Sequence, residues 1–188
     1  MLTQPFDTWE YTGAKATYGV FNAAVAAVGQ SSDPPYTTDL ADTGHGLLTG
    51  SLLYIQGSTN YNGLRKIISL PDADSLMIAA KYVAETLTTG ATWKVMYSSP
   101  HPFLFLGFEV TLSAAGANTE NLTIIRYKSA DSTAYENKIY TKAMNGEQFI
   151  NYMFDVPRRC GGGDRIDVAW ANAGSKTWGI KLFTRRIV

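Results

Sequence analysis

The feature that most constrains the fold of this chain is a series of short segments in which apolar and polar residues alternate with a period of two. Successive side chains of a β-strand point to opposite faces, so this period predicts strands with one buried face. In the longest segment, the residues expected to share one face are Leu104, Leu106, Phe108, Val110 and Leu112, and those expected opposite are Phe103, Phe105, Glu109 and Thr111. Similar segments separated by turns over residues 103–188 predict an antiparallel, jelly-roll-like β-sandwich.

The first half of the chain carries shorter strand signals. A buried strand is expected at residues 52–56, and Asn62 with Gly63 forms a dipeptide typical of hairpin turns, because both residues tolerate positive φ. Further strands are expected at residues 64–70, 76–83 and 92–97. Short strands at this spacing predict a small N-terminal β-barrel-like domain, so the whole chain is expected to be all-β.

A stretch of serine and proline at residues 98–102 separates the two zones. Proline fixes φ and disfavours helix in the residue before it, so this stretch predicts a stiff, extended connector. The expected organisation is an N-terminal arm and connecting segment at residues 1–35, the barrel-like domain at 36–99 and the sandwich at 103–188. Within the first of these, residues 14–28 fit either a helix or a strand.

Charge and hydropathy exclude several classes of protein. The 16 basic residues balance the 16 acidic ones. A nucleic-acid clamp needs a basic surplus to displace counterions, so no nucleic-acid partner is expected. Neutral charge also argues against binding an acidic membrane surface. No run approaches the roughly 18 apolar residues that span a bilayer, so no membrane partner is expected.

Few residues are arranged for chemistry. Cys160 is the one cysteine, and His45 and His101 are the two histidines, each in a turn-rich region. This spacing does not fit a zinc site, which takes three or four ligands. Residues 160–164 are glycine-rich but lack the Lys–Ser/Thr pair of a phosphate loop, and we expect a flexible turn there. The sequence therefore predicts a protein that is not an enzyme, with no catalytic residues, no cofactor and no metal.

The expected function is binding spread over a surface. Aromatic residues in an irregular N-terminal segment and arginines outside the alternating faces are the candidate anchors, because aromatic and arginine side chains dominate interface energies. The candidate interface residues are Phe6, Trp9, Tyr11, Arg158, Arg159 and Arg185. We expect a homo-oligomer, with a trimer as the closed ring. The many Tyr, Asn and Thr residues leave a second interpretation open, in which the partner is a glycan.

Two neighbouring segments carry a family resemblance. Residues 43–51 (TGHGLLTGS) and 54–63 (YIQGSTNYNG) resemble a recurring segment of structural proteins of tailed bacteriophages, with an HGLxTG motif followed by YNG. Later pieces of that pattern match residues 72–75 and 88–93. The segment is often labelled as similar to the first catalytic-cysteine half-domain of ubiquitin-activating enzymes. That label refers to a small β-barrel, and this chain has no adenylation motif.

The resemblance implies a non-enzymatic virion structural protein of a bacteriophage. Within that class the expected role is a capsid decoration or cement protein that stabilises the head, with the major capsid protein as partner. The alternatives are a tail or adaptor/fibre-attachment component, which binds tail proteins, and a carbohydrate-binding adhesin module on the particle. The resemblance implies location in the virion, assembled in the host cytoplasm.

Overall fold

The computed structural model describes residues 7–13, 18–21, 25–31, 36–87, 91–116, 119–128 and 136–187. Over these residues the chain forms fifteen β-strands and no helix. The expected all-β class is therefore confirmed. It follows that the described part contains no helix that could cross a membrane.

The chain divides into two compact units. The central unit is Ala16–Met96, and the C-terminal unit combines Met1–Lys15 with Tyr97–Val188. This division differs from the expected domains at the N-terminus, because the first strand belongs to the unit built from the second half of the chain. The strand β1 (Asp7–Gly13) pairs antiparallel with the last strand, β15 (Trp178–Arg186).

The central unit is a single antiparallel sheet. Its strands are β2 (Tyr18–Val20), β3 (Val25–Ser31), β4 (Thr37–Ala41), β5 (Leu52–Gln56), β6 (Gly63–Asp72), β7 (Ser75–Ile78), β8 (Thr86–Leu87) and β9 (Thr92–Ser98), whose last two residues belong to the C-terminal unit. The strand order is β9-β5-β6-β7-β4-β3-β8, with β2 also paired to β9. The sheet is not closed into a barrel, so the expected barrel is wrong in that respect.

The C-terminal unit contains two antiparallel sheets. The remaining strands are β10 (Phe103–Leu112), β11 (Asn121–Tyr127), β12 (Glu136–Ala143), β13 (Phe149–Cys160) and β14 (Arg165–Ala169). One sheet has the order β1-β15-β10-β13, and the other contains β12-β11-β14. Phe108 of the first sheet contacts Tyr140 of the second, with ring centroids 4.8 Å apart. The sheets form the expected antiparallel sandwich.

The strand β10 has a bulge that changes which residues are buried. Its register with both neighbouring strands shifts between Phe105 and Gly107. Phe103 and Phe105 are therefore buried on the same side as Phe108, whereas Leu104 lies on the other side and is half-buried. The uninterrupted alternation expected for this segment is wrong, because an extra residue reverses the pleat.

Part of the expected N-terminal arm forms a strand, and the segment at residues 14–28, which fitted either a helix or a strand, contributes strands in its described part. Residues 7–13 form β1, and residues 18–20 and 25–31 form β2 and β3. The sequence DTWEYTG of β1 has some alternation of a strand, with Trp9 and Tyr11 two positions apart and polar residues between and beside them. Alternation is weak evidence for a strand in a segment this short, and the pairing with β15 supplies the hydrogen bonds that hold residues 7–13 in the strand conformation.

Candidate interaction surface

The histidine and tyrosine of the phage-like segment are parts of the central unit's interior. His45 is buried, accepts a hydrogen bond from Leu47 N on Nδ1 at 2.9 Å, and lies with Nε2 3.3 Å from Ser75 O. Tyr61 is fully buried; its hydroxyl donates to Val83 O at 2.6 Å and accepts from Val83 N at 2.9 Å. Both side chains form hydrogen bonds with backbone atoms, so each of them has a structural role in the fold of this segment.

The glycine-rich turn after β13 is held from two sides. Asp164 accepts hydrogen bonds on Oδ2 from Gly161 N at 2.9 Å and from Arg126 Nη2 at 2.6 Å. Gly163 N donates to Ser99 O at 2.8 Å, and a Cβ atom on Gly162 would lie 2.5 Å from a backbone oxygen of the connector. The expectation of a flexible turn is therefore wrong: the glycines allow close packing of the turn against residues 98–102.

The single cysteine is a packing residue. Cys160 is fully buried, and burial raises the pKa of its thiol to about 11, a shift that Arg126 partly opposes and Asp164 reinforces. The thiol therefore stays protonated at neutral pH, and thiolate is the reactive form. In the part of the chain that the structure describes, no group of three or more His, Cys, Asp or Glu residues is placed to hold a metal ion.

The aromatic candidates of the N-terminus lie in β1 or just before it. Trp9 is opposite Leu182 and Tyr11 is opposite Ile180 in the pairing with β15, and both partners are buried. The two aromatic residues are therefore positions in a sheet rather than in a separate arm. Phe6 lies outside the described residues.

Two of the arginine candidates are brought together. Arg159 of β13 and Arg185 of β15 are both directly opposite Leu104 of β10, one on each side. Residues directly opposite in an antiparallel ladder lie on the same face, so the three form one row across three strands. Both arginines are exposed, and the strand spacing places their backbones about 10 Å apart. We call Arg185, Leu104 and Arg159 the arginine row.

The third arginine candidate lies on the other side of its strand. Arg158 is opposite Phe105, whose side chain is buried in the sandwich. Its guanidinium lies over the ring of Phe154, 5.4 Å from the centroid, and the residue is exposed. Arg158 therefore contacts an aromatic side chain at the margin of the core rather than joining the arginine row.

A row of apolar character follows the arginine row along the same face. Phe183 of β15 and Met153 of β13 are both opposite Gly107 of β10. Met153 is 52% exposed and Phe183 is half-buried. A Cβ atom on Gly107 would lie 2.7 Å from Met153 Sδ, so the methionine side chain lies over the glycine. We call these three residues the apolar row.

The next row is charged. Lys181 of β15 and Asn151 of β13 are both opposite Glu109 of β10. We call these three residues the charged row, and the three rows together the open face. The opposite side of the same strands is buried almost throughout, as shown by Phe108, Val110 and Leu182. The sheet therefore has one side in the core and one available side.

Three charged groups of the open face are unpaired within it. In the described part of the chain, Arg159, Arg185 and Glu109 form no salt bridge; the ion pairs found there join Arg126 to Asp164 and Lys142 to Glu147. The open face thus presents arginine and an exposed methionine together, two side-chain types that are enriched at protein interfaces.

A small cavity in the C-terminal unit offers little room for a glycan. The space inside it that a water molecule can occupy is only about 10 Å³, and its lining includes Trp170, Glu120 and Asn172. Ligand pockets measure about 300–1,000 Å³. Trp170 is only 3% exposed, so its ring presents no face on which a sugar could stack. The cavity does not support the adhesin interpretation.

The sequence carried part of the signal for the open face. Lys181, Phe183 and Arg185 alternate with buried residues in β15, whereas in β13 Tyr152, which lies between Asn151 and Met153, is exposed as well. The alternation therefore identifies the outward positions of β15 but not those of β13. It cannot show that Arg159 and Arg185 share a row, because that depends on the register across β10.

Comparison with known proteins adds no relative. No protein-family model, curated protein or solved structure matches the chain. Interpretation of its surface therefore depends on the residues themselves.

Proposed function

We propose that this protein is a non-enzymatic structural component of a tailed-bacteriophage virion, with decoration of the capsid as its role. The proposal starts from the resemblance of residues 43–63 to phage structural proteins. The observation that supports it most directly is that the polar side chains of that segment stabilise the segment's own fold. His45 and Tyr61 are buried and bonded to backbone atoms, which fits a segment that is retained to build a fold.

The surface of the C-terminal unit is consistent with this role. A decoration protein binds its neighbours through exposed side chains, and a few anchors supply most of the energy. The open face offers exposed Met153 together with Arg159 and Arg185, the side-chain types enriched at interfaces. The buried and protonated Cys160 thiol offers no nucleophile for a competing catalytic role.

Immunogold labelling tests the proposal directly. Antibodies raised against the recombinant chain are applied to phage particles released by a strain that carries the gene, and particles from a strain lacking the gene are the control. Labelled heads support the proposal. Labelled tails would replace it with the tail or fibre-attachment alternative, and complete absence of label from particles refutes a virion role.

A glycan array gives an independent check on the adhesin alternative. The recombinant chain is applied to immobilised bacterial surface polysaccharides at neutral pH. Decoration predicts no saturable binding, and the small cavity near the covered indole of Trp170 offers no glycan site in that part of the chain. Saturable binding to one polysaccharide would contradict the proposal in favour of an adhesin.

A further inference from the structure

We infer that the open face binds the open face of a second copy of this chain, giving a two-fold symmetric dimer. The inference does not depend on the virion role, because it uses only the order of the three rows. A two-fold interface uses the same patch on both copies, so the patch must be complementary to itself. The arginine, apolar and charged rows meet that requirement.

The apolar row lies between the arginine row and the charged row. Neighbouring rows on one face are about 7 Å apart along the strands. A two-fold axis that lies over the apolar row, across the strands, places Met153 and Phe183 against their own copies. The same axis exchanges the outer two rows, so the arginine row of each copy faces the charged row of the other.

The exchange brings opposite charges together at both ends. Glu109 of one copy lies above Leu104 of the other, between Arg159 and Arg185, which are on the two flanking strands. A carboxylate between two guanidinium groups makes charge-assisted hydrogen bonds, which are roughly twice as strong as neutral ones. Each of these groups lacks a salt bridge within the described part of its own chain.

The two-fold arrangement is least favourable for Lys181, because it places this residue near a like charge. It is beside Glu109 in the charged row, and the two-fold axis places it near Arg185 of the other copy. The like charges limit the affinity without removing the complementarity, because each copy still presents one carboxylate to two arginines. An alternative axis along the strands would place arginine on arginine, and it is disfavoured for that reason.

The area of the face sets the expected strength. Three strands at about 4.8 Å spacing and three rows at about 7 Å spacing give about 300 Å² per copy, or about 600 Å² in total. That is below the roughly 1,000 Å² of a stable specific interface, so the dimer is expected to be weak and to exchange fast.

Sedimentation velocity over a range of concentrations tests the inference with the full chain. The wild-type chain is expected to shift from monomer to dimer as its concentration rises. Glu109→Arg alone and the pair Arg159→Glu with Arg185→Glu should each weaken the dimer by about tenfold or more. Combining all three substitutions should restore it, because the charges are exchanged and the complementarity is kept.

Arg158→Glu is the matched control, because Arg158 is an exposed arginine next to Arg159 but outside the open face. It should leave the dimer unchanged, and circular dichroism melting should show all variants folded. A wild-type chain that is monomeric at every concentration, or that forms a trimer, overturns the inference. So does a dimer that survives the single-sided charge reversals, or a triple variant that fails to recover.

Discussion

Asp164 is the residue whose loss should most weaken the turn between β13 and β14. Its side chain is nearly buried, and its carboxylate receives hydrogen bonds from Gly161 N and from two nitrogens of Arg126. Removing one partner of a buried ion pair costs about 3–5 kcal/mol. Arg126 keeps 23% of its side chain exposed, so water can partly solvate it after the loss. We therefore expect Asp164→Ala to destabilise the C-terminal unit by about 3 kcal/mol, near the lower limit of that range.

The sole cysteine allows this unit to be measured by itself. Cys160 is fully buried beside the turn, so a thiol reagent reaches it when the C-terminal unit unfolds. The extent of labelling as a function of urea concentration then gives the free energy of unfolding of that unit, even if the central unit unfolds separately. Asp164→Asn is the graded variant: it keeps an oxygen for Gly161 N and removes the charge, so its loss should be smaller.

A double-mutant cycle with Arg126→Met separates the ion pair from the loss of packing. Contacting partners should show a coupling of about 1 kcal/mol or more between the two substitutions. A loss below about 1 kcal/mol for Asp164→Ala, or strict additivity with Arg126→Met, would refute the argument that the pair holds this turn.

Three further outcomes are expected. Gly107→Ala should cost about 1–3 kcal/mol in chemical denaturation, because its Cβ would clash with Tyr152 O; an unchanged midpoint contradicts the bulge geometry. At neutral pH, Cys160 should react with a thiol reagent only after the C-terminal unit unfolds, and fast labelling of the native chain would contradict its burial. Because the folded-state pKa of its thiol is raised to about 11, the stability of the unit should fall as the pH rises from about 9 towards about 11. An NMR titration should give Asp72 a pKa below its ordinary value of 3.8, chiefly because the Ser75 hydroxyl donates a hydrogen bond to its carboxylate, and Ser75→Ala should raise that pKa. The stability that results from the lowered pKa is present above the pKa of the unfolded state and is lost as the pH falls through the pKa of the folded state.

The strand class of this chain could be predicted because its signal is local. The alternation in residues 178–182 needs only the pleat of one strand, and the structure buries Trp178, Ile180 and Leu182 as that pattern indicates. The hairpin residues also act locally: Gly63 has a φ of 95°, which other residues rarely adopt.

The parts that could not be predicted depend on pairing between distant segments. The bulge at Phe105 and Gly107 is defined against β13 and β15, so nothing within β10 reports it. Arg159 and Arg185 become neighbours through Leu104, a relation set by two registers. The sequence can indicate such residues one at a time, whereas the pairing of the strands determines which of them lie side by side.

The pairing of β1 with β15 has a consequence for the order of synthesis. The strand β1 is synthesised before its partner β15, and most of the described chain lies between them. At about 5–20 residues per second, β1 waits on the order of ten seconds or longer without the strand that completes its sheet. The central unit, Ala16–Met96, is contiguous and can fold during that interval. Vectorial synthesis therefore favours folding of the central unit first, and the unit that contains β1 and β15 is completed later, when β15 has been made.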